Sequence, residues 1–92
     1  VNDFRKICDF ESYCPSDNVS ELTARVNDEG WDTAYRHWLT GSRIGSRDAV
    51  LVFSVGGGSR EHRISMSLVN AIELAREVGA LVVGVVGRED GA

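Results

Sequence analysis

The second half of the chain carries its clearest hydrophobic pattern. Residues 49–53 form a continuous apolar run, which is typical of a strand covered on both faces. A glycine-rich segment follows, and apolar residues at helical spacing then predict a helix that ends at Gly79. Residues 80–86 form a second apolar run. Strand, loop, helix and strand together predict a βαβ unit with two parallel strands.

The first half predicts two helices and one short strand. Asn18 is a suitable N-cap for the first helix, with Glu21 three residues later as its capping-box partner, and Gly30 ends that helix. The alternating residues 10–14 predict a half-buried strand that Pro15 ends. The second helix has an aromatic face, which we expect in the core or in a contact between subunits. Its members are Trp31, Ala34, Tyr35 and Trp38.

These elements together predict an α/β domain. A parallel sheet is normally covered by helices on both faces, so we expect a three-layer, doubly wound open sheet. Two or three strands alone would leave its edges exposed. The chain also begins with Val1 rather than with methionine. We therefore expect residues 1–92 to be a partial domain that contains only part of this fold.

Composition narrows the class of protein. The chain has 92 residues, of which 42% are hydrophobic and 26% charged, and this indicates one globular domain at most. A net charge of -4 argues against nucleic acid or an anionic membrane as partner, and the apolar runs are too short to span a bilayer. Two cysteines, Cys8 and Cys14, are too few for a zinc ribbon or a secreted disulfide framework. We expect free or structural thiols and a reducing compartment.

The loop after the first predicted strand is the strongest candidate for a binding site. Ligands of open α/β sheets bind beyond the carboxyl ends of the strands. Glycines let backbone N–H groups approach an anion, serine hydroxyls add donors, and a following helix N-terminus favours negative charge. The segment therefore predicts a phosphate site, although a tight turn without a ligand is the alternative. Its residues are Ser54, Val55, Gly56, Gly57, Gly58 and Ser59.

Nucleotide motifs and the histidines give weaker signals. The Walker pattern needs a lysine after the glycines, whereas Lys6 is the single lysine, and Glu61 breaks the dinucleotide pattern. Arg88 and Glu89 after the second strand leave a nucleotide-binding half-domain as an alternative. His62 is a candidate for anion binding or for a base, without a carboxylate placed to orient it. For His37 we expect a solvated or interface position.

The same segments resemble a known family. Residues 54–59, the helix end Ala-Arg-Glu-Val-Gly at 75–79 and the strand end Val-Gly-Arg at 86–88 resemble a sugar isomerase (SIS) domain. Residues 22–30, Leu-Thr-Ala-Arg-Val-Asn-Asp-Glu-Gly, are similar to the Leu-Thr-Ala-x-x-Asn-Asp-x-Gly segment of phosphoheptose isomerases. Those enzymes convert sedoheptulose 7-phosphate to glycero-manno-heptose 7-phosphate. The resemblance runs from about residue 17 to residue 92.

The resemblance implies roles for individual residues. Asn27 and Asp28 correspond to residues that touch the sugar, while Ser54 and the backbone of Val55 and Gly56 correspond to the phosphate site. The family usually reads Ser-Thr-Ser-Gly-Asn-Ser in this loop, so two side-chain donors are absent here. They are replaced by Gly56 and Gly58, and Gly57 lies between them.

Residues 60–64 look like an insertion into the family's loop. The family's last loop serine therefore corresponds to Ser59 or to Ser65. We expect Arg60 or Arg63 to replace the two lost donors with positive charge.

The resemblance also implies what this span does not carry. The family's proton-transferring glutamate and histidine, and the His, Glu and Gln positions that can hold zinc, have no counterpart here. We expect no catalytic residue, metal or cofactor in this span, and zinc only in the intact protein. The implied protein is a cytoplasmic phosphosugar isomerase, a homodimer or homotetramer with sites completed by neighbouring subunits. The alternatives are a non-catalytic SIS module that binds a phosphosugar as a regulatory signal, and the nucleotide-binding half-domain.

Overall fold

The computed structural model describes residues 1–59, 61–63 and 65–87. The expectations for Arg60, Ile64, Arg88 and Glu89 lie outside the described residues. The elements, in chain order, are α1 (Asn2–Lys6), α2 (Val19–Glu29), a 3-10 helix (Trp31–Thr33), α3 (Ala34–Gly41), β1 (Ala49–Ser54), α4 (Met66–Glu77) and β2 (Leu81–Val86).

The predicted βαβ unit is confirmed. β1 and β2 pair in parallel, from Ala49 opposite Leu81 to Ser54 opposite Val86, and α4 connects them. Because the strands are parallel, their carboxyl ends meet at one edge of the sheet. The loop that follows Ser54 therefore begins beside the end of β2.

The end of α4 is set by glycine, as the sequence predicts. Gly79 has a φ of 80°, which a residue without a side chain adopts at low cost. The N–H of Ala80 donates to the carbonyl of Ala75 at 2.9 Å, and the N–H of Gly79 donates to that of Arg76 at 3.2 Å. This pair of bonds is a Schellman motif, which stops the helix and turns the chain into β2.

The predicted N-cap of α2 is confirmed, but the reciprocal bond of the predicted capping box is not formed. Asn18 Oδ1 accepts a hydrogen bond from the N–H of Glu21 at 3.1 Å, as an N-cap does. The Glu21 carboxylate bonds instead to Arg25 Nε at 3.0 Å, one helical turn later. The helix ends at Gly30, whose φ of 90° again favours glycine.

The aromatic helix begins with a tighter turn than the sequence predicts. Trp31 lies in the 3-10 helix, and α3 starts only at Ala34, which is fully buried. The rings of Trp31 and Tyr35 meet edge to face at 5.2 Å between centroids. This single turn is held to α2 by Thr33 Oγ1, which donates to the carbonyl of Glu29 at 3.0 Å.

The strand predicted for residues 10–14 is wrong, and the first helix was missed. The segment has no strand pairing, and α1 precedes it. The N–H of Phe10 donates to the carbonyl of Phe4 at 3.0 Å, and the Arg5 guanidinium lies 5.2 Å from the centroid of the Tyr13 ring. An alternating segment forms a strand only beside another strand, and here its partner is a helix.

From α2 onward, the described helices form a stack that meets the sheet through α4. α4 packs against β2, the 3-10 helix and α3 pack against α4, and α2 packs against α3. On β1, Val52 is 6% exposed, whereas Phe53 on the opposite face is 71% exposed. The α/β class is confirmed, with a two-stranded parallel sheet and helices packed against one face. The second helical layer of the expected three-layer sheet stays a prediction.

The bare face of the sheet is apolar. Residues that pair in a parallel sheet point to the same face, so alternate residues of both strands lie on it. Its large side chains are exposed and are Leu51, Phe53, Leu81, Val83 and Val85.

Among the described helices, none is long and apolar enough to cross a membrane.

Candidate functional site

The glycine loop is joined to the end of β2 by backbone hydrogen bonds. The N–H of Gly87 donates to the carbonyl of Val55 at 2.9 Å and to that of Ser54 at 3.3 Å. A Cβ atom at Gly87 would lie 2.8 Å from the Val55 oxygen, closer than real Cβ atoms come to backbone. Glycine at 87 therefore allows the loop to start directly against the neighbouring strand.

The three loop glycines have different structural roles. Gly57 and Gly58 are buried and have φ values of 74° and 75°, so the turn itself requires little or no side chain there. Asparagine tolerates such a φ better than most residues. Gly58, where the resembled family reads asparagine, thus fits the same backbone path.

Gly56 differs from the other two glycines. No heavy atom lies within 4 Å of the place where its Cβ would be. Neither packing nor a positive φ explains the glycine at this position. The space beside it is open to a ligand, or to the serine that the resembled family carries there.

Two serine hydroxyls are oriented by the loop's own backbone. Ser54 Oγ accepts a hydrogen bond from the N–H of Gly57 at 3.0 Å, and Ser59 Oγ accepts one from the N–H of His62 at 3.2 Å. A hydroxyl that accepts an N–H still has its own proton to donate. Both serines can therefore donate to an anion without breaking the turn.

Ser65 lies at the N-cap of α4 in the left-handed conformation, with a φ of 53°. Its carbonyl accepts the N–H groups of Leu68 and Val69, both at 3.0 Å. Its side chain makes no capping hydrogen bond within the described part of the chain. The structure thus gives Ser59 a defined place in the loop turn and leaves the choice between Ser59 and Ser65 as phosphate ligand untested.

Arg63 connects the segment after the loop to the 3-10 helix. Its Nη2 lies 3.3 Å from Asp32 Oδ2, and both side chains are mostly exposed. The Asp32 carbonyl in turn accepts a hydrogen bond from Asn70 Nδ2 of α4 at 2.9 Å. The sequence offered no signal for Asp32 or Asn70, since they lie 38 positions apart.

Asn27 and Asp28 lie exposed in the last turn of α2. Asn27 Nδ2 is 3.4 Å from Asp28 Oδ1. Within the described residues, no hydrogen bond or ion pair joins either side chain to residues 54–59. Asp32, four positions after Asp28, bonds to Arg63 and so joins the region after α2 to the described part of the segment after the glycine loop.

His37 pairs with a carboxylate at the end of α2. His37 Nε2 lies 2.8 Å from Glu29 Oε2, and both side chains are partly exposed, which agrees with the solvated position expected for His37. The pairing with Glu29 joins α3 to the end of α2.

Across residues 1–59, 61–63 and 65–87, no three His, Cys, Asp or Glu side chains are placed to hold a metal ion. The thiols of Cys8 and Cys14 are both free.

Comparison with known proteins gives two kinds of relative. The chain is 40% identical over 83 residues to the lincomycin biosynthesis protein LmbN of Streptomyces lincolnensis, a match that spans 86% of this chain and 28% of that protein. It is 39% identical over 75 residues to phosphoheptose isomerases of Mycobacterium bovis and Mycobacterium tuberculosis, across 80% of this chain and 34% of theirs.

These comparisons support the resemblance at the level of sequence. The chain spans roughly a third of the length of the curated relatives that it matches. No family model matches the chain, and no solved structure matches it. The chain is therefore similar to phosphoheptose isomerases over the region that contains the glycine loop, α4 and the end of α2.

Proposed function

We propose that this chain is the phosphosugar-binding part of an aldose–ketose isomerase of the sedoheptulose 7-phosphate type. In this proposal, residues 1–92 are part of an SIS domain that supplies the phosphate-binding loop and part of the sugar site. The observation that carries the proposal is the loop after β1, in which two serine hydroxyls are oriented by backbone N–H groups beside an open glycine. The similarity to phosphoheptose isomerases supports it.

The chemistry of the loop suits a phosphate group. The Ser54 and Ser59 hydroxyls have protons to donate, and Gly56 leaves its backbone accessible to a phosphate oxygen. The N-terminus of α4, which follows the loop, adds a partial positive charge. Hydrogen bonds to an ionised group are stronger than those between neutral groups, so a few donors of this kind can hold the phosphate end of a sugar.

The sugar-binding role falls to Asn27 and Asp28. An amide and a carboxylate can together donate to and accept from sugar hydroxyls. Both side chains are exposed at the end of α2 and available to a ligand. In the proposal, a homodimer or homotetramer completes the site, and further helices cover the apolar face of the sheet to give the three-layer fold.

The proton transfer needs groups outside this span. Aldose–ketose isomerisation moves a proton between adjacent carbons, and the base must reach the substrate. The glutamate and histidine that perform this step in the resembled family have no counterpart in the 92 residues. A second candidate is a non-catalytic module that binds a phosphosugar as a regulatory signal, since the geometry of the serine hydroxyls suits phosphate binding with or without turnover.

The substrate is the least constrained part of the proposal. One kind of relative is named phosphoheptose isomerase, and the other is named after lincomycin biosynthesis. A binding panel should therefore contain pentose, hexose and heptose phosphates as well as the matching neutral sugars. Binding that requires the phosphate group tests the loop, and binding that depends on the sugar tests the region of Asn27 and Asp28.

The decisive experiment measures binding of sedoheptulose 7-phosphate by calorimetry to the protein and to two serine variants. Ser54→Ala removes a hydroxyl that we place on the phosphate, and we expect about tenfold weaker binding. Ser46→Ala is the matched control, since Ser46 is exposed in the loop at the opposite, amino end of β1. Equal loss in both variants, or no binding of any phosphosugar by the parent, would overturn the proposal.

Turnover separates the two candidate functions. The intact protein that contains residues 1–92, and not this span alone, is incubated with sedoheptulose 7-phosphate, and the aldose product is measured. Conversion supports the isomerase, whereas tight binding without conversion supports the regulatory module. Binding of NADPH with no effect of phosphosugars would instead favour the nucleotide-binding half-domain.

A further inference from the structure

We infer that Arg63 is the cation of the phosphate site, held by Asp32 in the free protein and transferred to the phosphate when a phosphosugar binds. This inference rests on the proposed function and names a residue that determines affinity for the charged end of the substrate. Two observations support it. One is the ion pair between Arg63 and Asp32, and the other is the turn in which the N–H of His62 bonds to the Ser59 hydroxyl.

Arg63 lies within reach of the glycine loop. The N–H of His62 donates to Ser59 Oγ at 3.2 Å, so the residue just before Arg63 is bonded to a serine of the loop. Consecutive Cα atoms are about 3.8 Å apart, which puts the Arg63 Cα within roughly 8.5 Å of the Ser59 hydroxyl. An extended arginine side chain has a comparable length, and its guanidinium can reach a phosphate bound at that hydroxyl.

The ion pair with Asp32 is one that a ligand can displace. It consists of a single nitrogen–oxygen contact of 3.3 Å, and the side chains of Arg63 and Asp32 are 72% and 54% exposed. Exposed pairs of this kind contribute little to stability. Asp32 keeps its place without Arg63, because its carbonyl is bonded to Asn70 at 2.9 Å. Transfer of the guanidinium therefore leaves the 3-10 helix attached to α4.

The guanidinium gains a better hydrogen-bonding partner by this transfer. The protein has a net charge of -4, so a local cation is needed to offset the repulsion that a phosphate dianion meets. A guanidinium offers two parallel N–H donors to a phosphate, which is a better match than its single contact with Asp32. The resembled family carries two side-chain donors that Gly56 and Gly58 lack here, and a charged arginine can replace them.

The experiment uses three variants of the protein. Arg63→Gln removes the charge, and we expect at least tenfold weaker binding of sedoheptulose 7-phosphate and of inorganic phosphate. Asp32→Asn removes the competing carboxylate but keeps the carbonyl that Asn70 needs, and we expect about twofold to fivefold tighter binding. Arg47→Gln is the matched control, because Arg47 is exposed before the amino end of β1, away from the loop.

The signs of the two effects separate a binding role from a structural one. If the ion pair merely holds the loop in place, then Asp32→Asn weakens binding as Arg63→Gln does, and that result overturns the transfer. If the parent binds phosphosugar and Arg63→Gln binds it equally well, then the role of Arg63 is wrong while the proposed function stands. If the parent binds no phosphate compound, then both proposals fail together. Melting curves of the variants show that each is folded.

Discussion

The backbone N–H of Gly87 donates a hydrogen bond of 2.9 Å to the carbonyl of Val55. Ser54 and Val86 are the last paired residues of the two strands, so this bond extends the ladder by one step into the loop. The start of the glycine loop is therefore held by the neighbouring strand and not by the loop alone. The sheet therefore fixes the position of any ligand site formed by the start of this loop.

Gly87→Ala should disturb the loop through this contact. The new Cβ would lie 2.8 Å from the Val55 oxygen, so the backbone must shift. We expect a loss of about 1–3 kcal/mol in the free energy of unfolding, and weaker phosphosugar binding. Chemical denaturation and calorimetry measure the two effects.

Gly84→Ala is the control for this substitution. Gly84 lies in β2, three residues before Gly87, has no heavy atom within 4 Å of its Cβ position and does not have a positive φ. Its replacement should leave binding unchanged. Equal behaviour of the two alanine variants would mean that the bond to Val55 does not position the loop.

Gly56→Ser should strengthen phosphosugar binding. The position has open space for a side chain, and a serine hydroxyl there would add a donor beside Ser54. Because hydrogen bonds to charged groups are worth more than neutral ones, we expect about tenfold tighter binding. The dissociation constant for sedoheptulose 7-phosphate measures the change. Gly56→Ala supplies the Cβ without the hydroxyl, and tighter binding by that variant would contradict the explanation.

Asn18→Ala should destabilise the protein by about 1 kcal/mol, because it removes the acceptor for the N–H of Glu21 at the start of α2. Urea unfolding followed by circular dichroism measures this loss. Ser20→Ala is the matched control in the same turn, where the described contacts of Ser20 use its carbonyl and not its side chain. A loss of the same size in Ser20→Ala would show that helix propensity, and not the cap, accounts for the effect.

Ile72→Ala should cost about 2–5 kcal/mol of unfolding free energy, since Ile72 is 7% exposed in α4 and its loss leaves a cavity. Leu81→Ala, on the bare face of the sheet, should cost only about 0.5 kcal/mol, since Leu81 is 62% exposed. Thermal unfolding of both variants at several protein concentrations makes the comparison. A large, concentration-dependent cost for Leu81→Ala would show that a second copy covers this face in solution.

The elements that the sequence predicts correctly are those defined by local signals. Asn18 caps α2 and Gly79 ends α4 because a cap requires only a side chain and the backbone of the next few residues. The strand predicted for residues 10–14 failed because alternation says nothing about whether a partner strand is available. The same distinction holds for the candidate site. The position of the glycine loop after β1 could be predicted from local signals, whereas the contact of Arg63 with Asp32 depends on the fold and could not.

By itself, the sequence determined the order of the helices and strands from α2 onward, the parallel βαβ unit and the position of the glycine loop beyond a strand end. Periodicity, caps and glycines act over a few residues, so they can be recognised without the fold. The tertiary structure alone decided that α2, the 3-10 helix and α3 stack on α4 and that Arg63 meets Asp32, 31 positions earlier. Such contacts depend on how α3 packs against α4, and that packing is set by the shape and burial of side chains far apart in the chain.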